Sequence, residues 1–485
     1  MRTLALLLCL ALLLIAIPSL LFHNLFRLSF GWSDALLYLV VAAAIYGLIA
    51  AVASSLNKRF KAAVDEFMGG NAPDLVPRRG LLRTFGLLLL ILLPYLVFLL
   101  LFSVFIAGVF GLYGFWAVSF LPRVPIAILI GLAVVVLGTA AAFFIGMFRL
   151  FFPPRPQTFG VEVAMQEQPE AWDLARKVAA DVGTKPVDRI VVTPDPGVSV
   201  HLNGSLLATL FGGGHRVLQI GVPSIHTLSV NELRAILAHE YGHFSNRDTQ
   251  WSTFTYAMGN GLIAAFRATP GPIKHEGDGG GWIALVMALN PAYWTLLLFL
   301  RLFFNATSAF SRIREVMADV RAMKLYGGES FRNGLEKVVF NDALFATIVQ
   351  GEVVPALAKQ NKTVADFSAM MTFVKSDLSH KQQEQIKASI AAEEPSAYDS
   401  HPPVTTRLKY SERFSMGKTE RDERDAAALF SEWHGLNEKL ADLYNARFLS
   451  YLRAVAAQAV EHDRPVKGVI YTESEIQEFK RRGLM

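Results

Sequence analysis

Four long apolar runs occupy the first 150 residues of the chain. They cover residues 3–22 and about 34–55, 84–110 and 124–148, and Leu, Val, Ala, Ile and Phe dominate them. Each run is long enough to cross a bilayer as an α-helix. A signal peptide is the alternative for residues 3–22, but the run is long for one and no clean cleavage site follows it. The pattern therefore predicts a four-helix transmembrane region over residues 1–150.

Two weaker apolar segments lie in the second half of the chain. Residues 282–304, "WIALVMALNPAYWTLLLFLRLFF", predict a fifth membrane helix, and the Asn290-Pro291 pair within them predicts a kink. Residues 251–266 are shorter and contain Gly, Asn and Thr. They fit either a sixth membrane helix or a helix lying at the membrane surface.

Between residues 150 and 251 the long apolar runs are replaced by shorter segments whose apolar residues follow helix or strand spacing. Residues 169–183, "PEAWDLARKVAADVG", place apolar residues at helical spacing, and the final Gly183 is typical of a helix C-cap. The stretches "DRIVVTP", "VSVHLNGSLL" and "RVLQIGV" are bounded by turn residues and predict three strands. The order of helix and three strands indicates a small sheet backed by helices.

The composition agrees with a membrane protein and excludes two other classes. Hydrophobic residues form 53% of the chain and charged residues only 18%, which is too little charge to cover a soluble protein of this size. The formal net charge of +5 accompanies no basic stripe with interleaved aromatic residues, so we expect no nucleic-acid partner. Cys9 is the single cysteine, which excludes an intrachain disulfide.

The basic residues are distributed unevenly between the loops, and this predicts the orientation. The loop after the second run and the exit of the fourth run are both rich in Lys and Arg, whereas the two intervening loops carry Arg27 and Arg123. The residues of the two basic loops are Lys58, Arg59, Lys61, Arg78, Arg79 and Arg83, then Arg149 and Arg155. By the positive-inside rule, the N-terminus and the part after residue 150 lie in the cytoplasm.

The stretch "ILAHEYGHFSNRD", residues 236–248, carries the candidate chemistry. Ser229 and Glu232 precede it as a capping box that begins a helix. His239 and His243 then share one helical face, because four residues make just over one turn. This spacing suits two ligands of one tetrahedral zinc ion, with Glu240 beside it as the base for a metal-activated water.

A catalytic zinc site needs a third protein ligand. The stretch "SRIREVMADVRA", residues 311–322, offers Glu315, with Asp319 four residues later on the same helical face. Glu315 is the predicted third ligand. Asp319 is predicted to accept a hydrogen bond from the outer nitrogen of a ligating histidine, which fixes its tautomer. The alternative is a solvated charged helix that follows a membrane span.

These stretches, together with "SHPPVTTR" at residues 400–407, resemble zinc metallopeptidases of the HtpX and CAAX-prenyl-protease type, the integral-membrane branch of the gluzincins. The resemblance covers roughly residues 155–410 and rests on three separated motifs in the family's order. It implies a zincin-like α+β domain, one zinc ion per chain and protein or peptide substrates.

The resemblance also implies roles for residues outside the zinc motif. His401 and Arg407 match the family's His and Arg near the active site, where they would bind substrate or stabilise an oxyanion. Asn203 is the match on an edge strand that pairs with substrate, although "LNGS" departs from the family's usual sequence there. Asp248 matches an acidic residue after the motif helix, with a role either beside the ligands or in capping.

The sequence thus predicts a mostly α chain with a multi-span membrane region and an α+β zincin-like catalytic domain. The catalytic domain is expected in two parts, residues 151–250 and 306–410, separated by the membrane segment 251–305 and followed by a helical extension over 411–485. The expected function is a zinc endopeptidase of membrane-protein quality control at the cytoplasmic face of a bacterial inner membrane. The alternatives are a prenyl-peptide protease of narrow specificity, an intramembrane site-2-type protease, and a non-enzymatic membrane protein with a structural zinc.

Overall fold

A computed structural model gives the fold of most of the chain. It describes residues 32–68, 70, 79–120, 126–151, 159–203, 214–244, 249–269, 290–354, 357, 363–392, 403–414, 417 and 421–446. The predicted span at residues 3–22 lies outside these ranges. The described chain is mostly helical with one small mixed sheet, which confirms the predicted fold class.

Three long helices follow the predicted second, third and fourth spans. They are α1 (Trp32–Met68), α2 (Arg79–Ser119) and α3 (Ile126–Phe151). Helix α1 continues past the predicted end of its apolar run near residue 55. The reason is that Leu56, Phe60 and Phe67 keep a buried face at helical spacing, although the opposite face carries Lys and Arg. The basic residues assigned to a loop by the sequence therefore begin on the helix itself.

Two further helices lie beyond the motif. Helix α7 (Thr249–Ala268) covers the weak segment at 251–266 and packs against α3 and α8. Helix α8 runs without a break from Pro291 to Tyr326. The predicted kink at Asn290-Pro291 would lie at the start of α8, and residues 282–289 on its other side lie outside the described residues. Asn290 caps the helix by accepting a hydrogen bond from the Ala292 N–H at 3.1 Å, and proline is favoured at the first helical position.

By length and composition, three of the helices in the described part of the chain could cross a membrane. The candidate segments are Leu36–Phe67, Gly80–Gly108 and Pro291–Tyr326. Polar contacts join them inside the bundle: Asn57 Nδ2 on α1 donates to Asn305 Oδ1 on α8 at 3.2 Å. This bond between two half-buried side chains helps to fix the position of α8 against α1.

The sheet has the strand order β1-β2-β4-β3, with β1 at Val161–Glu162, β2 at Arg189–Thr193, β3 at Val198–Asn203 and β4 at His215–Gly221. The three strands predicted from sequence are confirmed, and the two-residue β1 is an addition. Strands β2 and β4 are parallel, whereas β3 is antiparallel to β4 and forms the edge of the described sheet opposite β1.

The helices around the sheet position the motif. Helix α4 (Pro169–Val182) ends at Gly183 in a left-handed conformation (φ 79°), as predicted. The short helix α5 (Val222–Thr227) leads from β4 into α6 (Val230–Gly242), which carries His239 and Glu240. Helix α6 packs against β3, α4, α8 and α9, so the motif helix lies between the sheet and the helices around it.

The remaining elements surround α6 and α8. Helix α9 (Gly328–Leu344) continues into a π-helical segment (Phe345–Val353), followed by α10 (Phe367–Asp377), α11 (His380–Ala391) and α12 (Val404–Ser411). A 3₁₀ turn (Ala426–Leu429) and α13 (Trp433–Tyr444) are the described part of the predicted C-terminal extension. Helix α13 packs on α10 and β1.

Candidate metal centre

The motif helix α6 is held firmly at its N-terminus. The predicted capping box is confirmed: the Glu232 N–H donates to Ser229 Oγ, and the Ser229 N–H donates to Glu232 Oε2 at 2.8 Å. The C-terminal segment adds two bonds, because the Val230 and Asn231 N–H groups donate to the carbonyls of Arg424 and Asp422. These bonds satisfy the N–H groups that a helix end leaves without partners. The segment that contains Asp422 and Arg424 therefore stabilises the motif helix.

Helices α6 and α8 bring three potential metal ligands together. His239 Nε2 and His243 Nε2 each lie 3.4 Å from a different carboxylate oxygen of Glu315. One ligand atom from each of the three residues lies within 4.8 Å of the other two. His239 and Glu315 are buried, and His243 is half-buried at the end of α6. The three residues predicted as ligands thus converge on one point.

The donor set tests whether zinc suits this point. Two imidazole nitrogens and one carboxylate oxygen are a ligand set that catalytic zinc ions use, with a fourth position left for water or substrate. The three donor atoms are close enough to surround a single ion. The residues present therefore fit a zinc ion.

The close approach of the two ligand-bearing helices depends on small residues. A Cβ atom added at Gly242 would lie 3.1 Å from both Cα and Cβ of Ala318. Ala318 lies on α8 between Glu315 and Asp319, so the contact is made at the level of the ligands. Gly242 therefore allows α6 and α8 to approach until residues of both helices reach one ion.

Asp319 lies behind His239 and is fully buried. His239 Nδ1 is 2.6 Å from Asp319 Oδ1. This contact places the Nδ1 proton toward the carboxylate and leaves Nε2 for a metal, as predicted from the spacing of Asp319 after Glu315. Burial lowers the pKa of His239, but Asp319 and Glu315 raise it more, to about 10. The two carboxylates thus favour positive charge at this point, which also favours a bound cation.

Two further donors complete the surroundings of Asp319. Arg407 donates from Nη2 to Oδ1 at 2.6 Å and from Nε to Oδ2 at 2.8 Å. The hydroxyl of Tyr410 donates to Oδ2. Arg407 and Tyr410 lie on one face of α12 and are both buried. Asp319 is therefore held between α12 and the motif helix.

Glu240 lies beside the ligands and is oriented by the edge strand. Its Oε1 is 3.9 Å from His239 Nε2, and its Oε2 accepts a hydrogen bond from the Val200 N–H at 3.3 Å. A backbone N–H that bonds to Glu240 points away from β4. Groups two residues apart on a strand point the same way. The backbone N–H and C=O groups of Val198, Val200 and Leu202 therefore point away from β4, toward the open edge of the sheet beside Glu240.

The structure describes two of the four other predicted site residues, Arg407 and Asn203. Arg407 was expected to bind substrate or an oxyanion, but its Nε and Nη2 both donate to the buried Asp319, so these two groups face the back of His239. Asn203 is the last residue of β3, three residues along the strand from Val200. His401 and Asp248 lie outside the described residues.

The sequence did not point to two contributors to the centre. The Val200 N–H is a backbone group, and it has no sequence signature. Tyr410 follows Arg407 by three residues on a helix, and this spacing places both side chains on the same face. If Arg407 had been predicted to bind Asp319, the same spacing would have predicted that Tyr410 also lies near Asp319.

Comparison with known proteins agrees with this geometry. The model of peptidase family M48 matches residues 196–413, which include α6, α8 and α12. A protease HtpX homolog of Pyrococcus abyssi is 30% identical over 173 residues, which cover 34% of this chain and 54% of that protein. Protease HtpX of Acinetobacter baylyi is 25% identical over 196 residues, with 37% and 60% covered.

A longer match is found with a protease HtpX homolog of Pyrobaculum aerophilum, which is 24% identical over 265 residues, covering 53% of this chain and 70% of that protein. The chain spans about half the length of the Pyrococcus abyssi relative. No solved structure matches the chain.

Proposed function

We propose that this chain is a zinc-dependent endopeptidase held in a membrane, because residues 196–413 match the model of peptidase family M48 and HtpX-type proteases are similar to it. The observation that carries the proposal is the convergence of His239, His243 and Glu315 beside Glu240. A site with a base in this place is suited to catalysis, whereas a purely structural zinc site has no use for the base and fills all four positions with protein ligands.

The proposed reaction is hydrolysis of a peptide bond. Zinc, when bound by the three ligands, supplies a Lewis acid that lowers the pKa of water and polarises a carbonyl. Glu240 accepts a proton from the attacking water, whose oxygen bonds to the carbonyl carbon. As the C–N bond breaks, Glu240 returns the proton to the leaving amine. The Val200 N–H holds the Glu240 carboxylate in place for both transfers.

The substrate is proposed to bind as an extended strand along β3. The outward N–H and C=O groups of Val198 and Leu202, together with the Val200 carbonyl, offer donors and acceptors to such a strand, whereas the Val200 N–H is already bonded to Glu240. Main-chain pairing of this kind tolerates many sequences. A broad substrate range follows from it, as quality control of damaged proteins requires. Asn203 lies at the end of the same edge and is proposed to contact the substrate away from the scissile bond.

The exposure pattern of α8 supports a site outside the bilayer. The exposed positions in its first third are Trp294, Leu298 and Arg301, one stripe at helical spacing, and the next exposed position among its described side chains is Lys324. We assign the edge of the hydrocarbon region to Arg301, because a basic side chain at this level can reach the headgroups. Glu315 lies fourteen residues further on, about 21 Å along the helix axis at 1.5 Å per residue.

The position of α6 argues against an intramembrane protease. Its contacts are with the sheet and with α4, α8 and α9, and its first turn is tied to polar segments near residue 424. We therefore propose that the catalytic part acts on the side of the membrane that carries the basic loops, which the positive-inside rule makes the cytoplasm. Its substrates would be cytoplasmic segments of membrane proteins and unfolded soluble proteins.

The test is casein hydrolysis by the detergent-purified, zinc-loaded protein beside its Glu240→Gln variant. We expect cleavage by the wild type and none by the variant, with one zinc ion per chain in both. Retained turnover in Glu240→Gln would refute the proposed base. Zinc in both proteins with no cleavage of casein, or of a prenylated peptide supplied in parallel, would favour a structural zinc.

A further inference from the structure

We propose that Tyr410 is a positioning residue for the zinc ligand His239 and that it acts through Asp319. The inference rests on the zinc site of the proposed function but does not require peptide hydrolysis. Nothing in the zinc motif itself points to Tyr410, which lies 171 residues after His239 in the chain. Its relation to the site follows from the contacts around one buried carboxylate.

Asp319 has about four places where its two oxygens can accept hydrogen bonds, and the structure fills all four. Oδ1 contacts His239 Nδ1 and Arg407 Nη2, and Oδ2 accepts from Arg407 Nε and from the Tyr410 hydroxyl. The carboxylate is fully buried, so water does not replace a missing donor at its surface. The Tyr410 hydroxyl therefore donates to the one acceptor position on Oδ2 that Arg407 Nε does not use.

The geometry of these bonds gives Tyr410 a distinct task. Arg407 donates to both oxygens of the carboxylate with its planar fork. The Tyr410 hydroxyl donates to Oδ2 from a different residue of α12 and so gives that oxygen a second anchor. The orientation of Oδ1 toward His239 then depends on the donor at Oδ2, because the two oxygens belong to one rigid group.

Tyr410 is itself fixed by the end of a membrane helix. Its ring packs edge-on against Phe67 near the end of α1, with ring centroids 6.3 Å apart, and both side chains are buried. Arg413, one turn after Tyr410, donates from Nη1 to the Phe67 carbonyl at 2.7 Å. The end of α1 thus supports the residue that restrains Asp319. This contact links the membrane region to the ligand His239.

The test compares Tyr410→Phe with Tyr326→Phe in the full-length, detergent-purified protein. Tyr326 is a matched control, since it is also buried and donates its hydroxyl to a carboxylate, Asp181 Oδ2 at 2.7 Å. Both variants lose one hydroxyl and keep the ring. The measurements are the zinc dissociation constant, by competition with a chelator, and the visible absorption of the cobalt-substituted protein.

We expect Tyr410→Phe to bind zinc about tenfold more weakly, at the lower end of the range for partners that support a ligand, and to shift the cobalt spectrum. Tyr326→Phe should match the wild type in both measurements while losing similar thermal stability. A wild-type zinc affinity and spectrum in Tyr410→Phe would overturn the inference. Failure of the wild type to bind zinc would instead refute the proposed function.

A double-mutant cycle tests the route through Asp319. Asp319→Asn should weaken zinc binding about 10- to 100-fold by itself. If Tyr410 acts through Asp319, adding Tyr410→Phe to this variant should cause no further loss. If the two losses multiply, Tyr410 acts independently of Asp319 and the proposed route is wrong.

Discussion

The contact between Gly242 and Ala318 gives the sharpest prediction about the metal centre. Substituting Gly242→Ala places a methyl group 3.1 Å from two atoms of Ala318, one of them backbone. The contact must open by about 0.3 Å to reach 3.4 Å, where ordinary van der Waals contact begins. Because Ala318 Cα cannot rotate away, α6 and α8 must separate. His239 and His243 then move away from Glu315.

The expected effects on stability and on zinc binding differ in size. Overpacking of this kind costs about 1–3 kcal/mol, and replacing glycine by alanine within a helix returns at most about 1 kcal/mol. The net loss in the free energy of unfolding is therefore about 0–3 kcal/mol. Zinc–ligand distances, by contrast, tolerate only about 0.2 Å. A separation of about 0.3 Å should weaken zinc binding at least about tenfold while the protein remains folded.

The assay measures zinc affinity, casein hydrolysis and thermal unfolding of Gly242→Ala beside Gly334→Ala. A Cβ at Gly334 would lie 3.1 Å from Ile236 Cγ1 and 3.3 Å from the Glu232 carbonyl, so the crowding between α9 and α6 is similar. Helix α9 carries no predicted ligand. We expect Gly334→Ala to keep its zinc affinity, and Ala318→Gly to restore part of the affinity lost in Gly242→Ala by removing one of the two crowded atoms.

Equal zinc affinity and activity in Gly242→Ala and the wild type would refute this reasoning. That result would mean that the approach of α6 and α8 does not set the ligand geometry. Equal losses in Gly242→Ala and Gly334→Ala would mean that zinc binding follows general stability and is not specific to the contact at Ala318.

Two further predictions concern the motif helix and the substrate. Ser229→Ala removes the capping bond to the Glu232 N–H and should lower the free energy of unfolding by about 1 kcal/mol in a denaturant titration, whereas Ser376→Ala, which removes a bond on the exposed face of α10, should change it little. A membrane-anchored substrate should be cleaved only when its cleavable bond lies at least about six residues from the bilayer. The reason is that about 21 Å of helix separates Arg301 from Glu315, and an extended chain covers about 3.3 Å per residue. Efficient cleavage two residues from the bilayer, in a series of linkers measured by mass spectrometry, would contradict the assignment of the membrane edge to Arg301.

Features set by neighbouring residues could be predicted from the sequence. The apolar runs of α1, α2 and α3, the three longer strands and the capping box all depend on side chains a few positions apart. The same holds for His239, Glu240 and His243, because a helix places residues four apart on one face. Glu315 and Asp319 required only the further assumption that a second helix lies against the first.

The tertiary structure decided the contacts between distant segments. Arg407 and Tyr410 meet Asp319 from 88 and 91 residues away, and the Val200 N–H meets Glu240 from a separate strand. The family resemblance predicted Arg407 near the substrate, whereas the structure places its guanidinium against the buried carboxylate of Asp319. The structure also places residues 291–304 of the predicted fifth span and the third ligand, Glu315, on one helix that begins at Pro291. Local spacing determines which side chains share a helical face, but only the packing of that face determines which distant groups it meets.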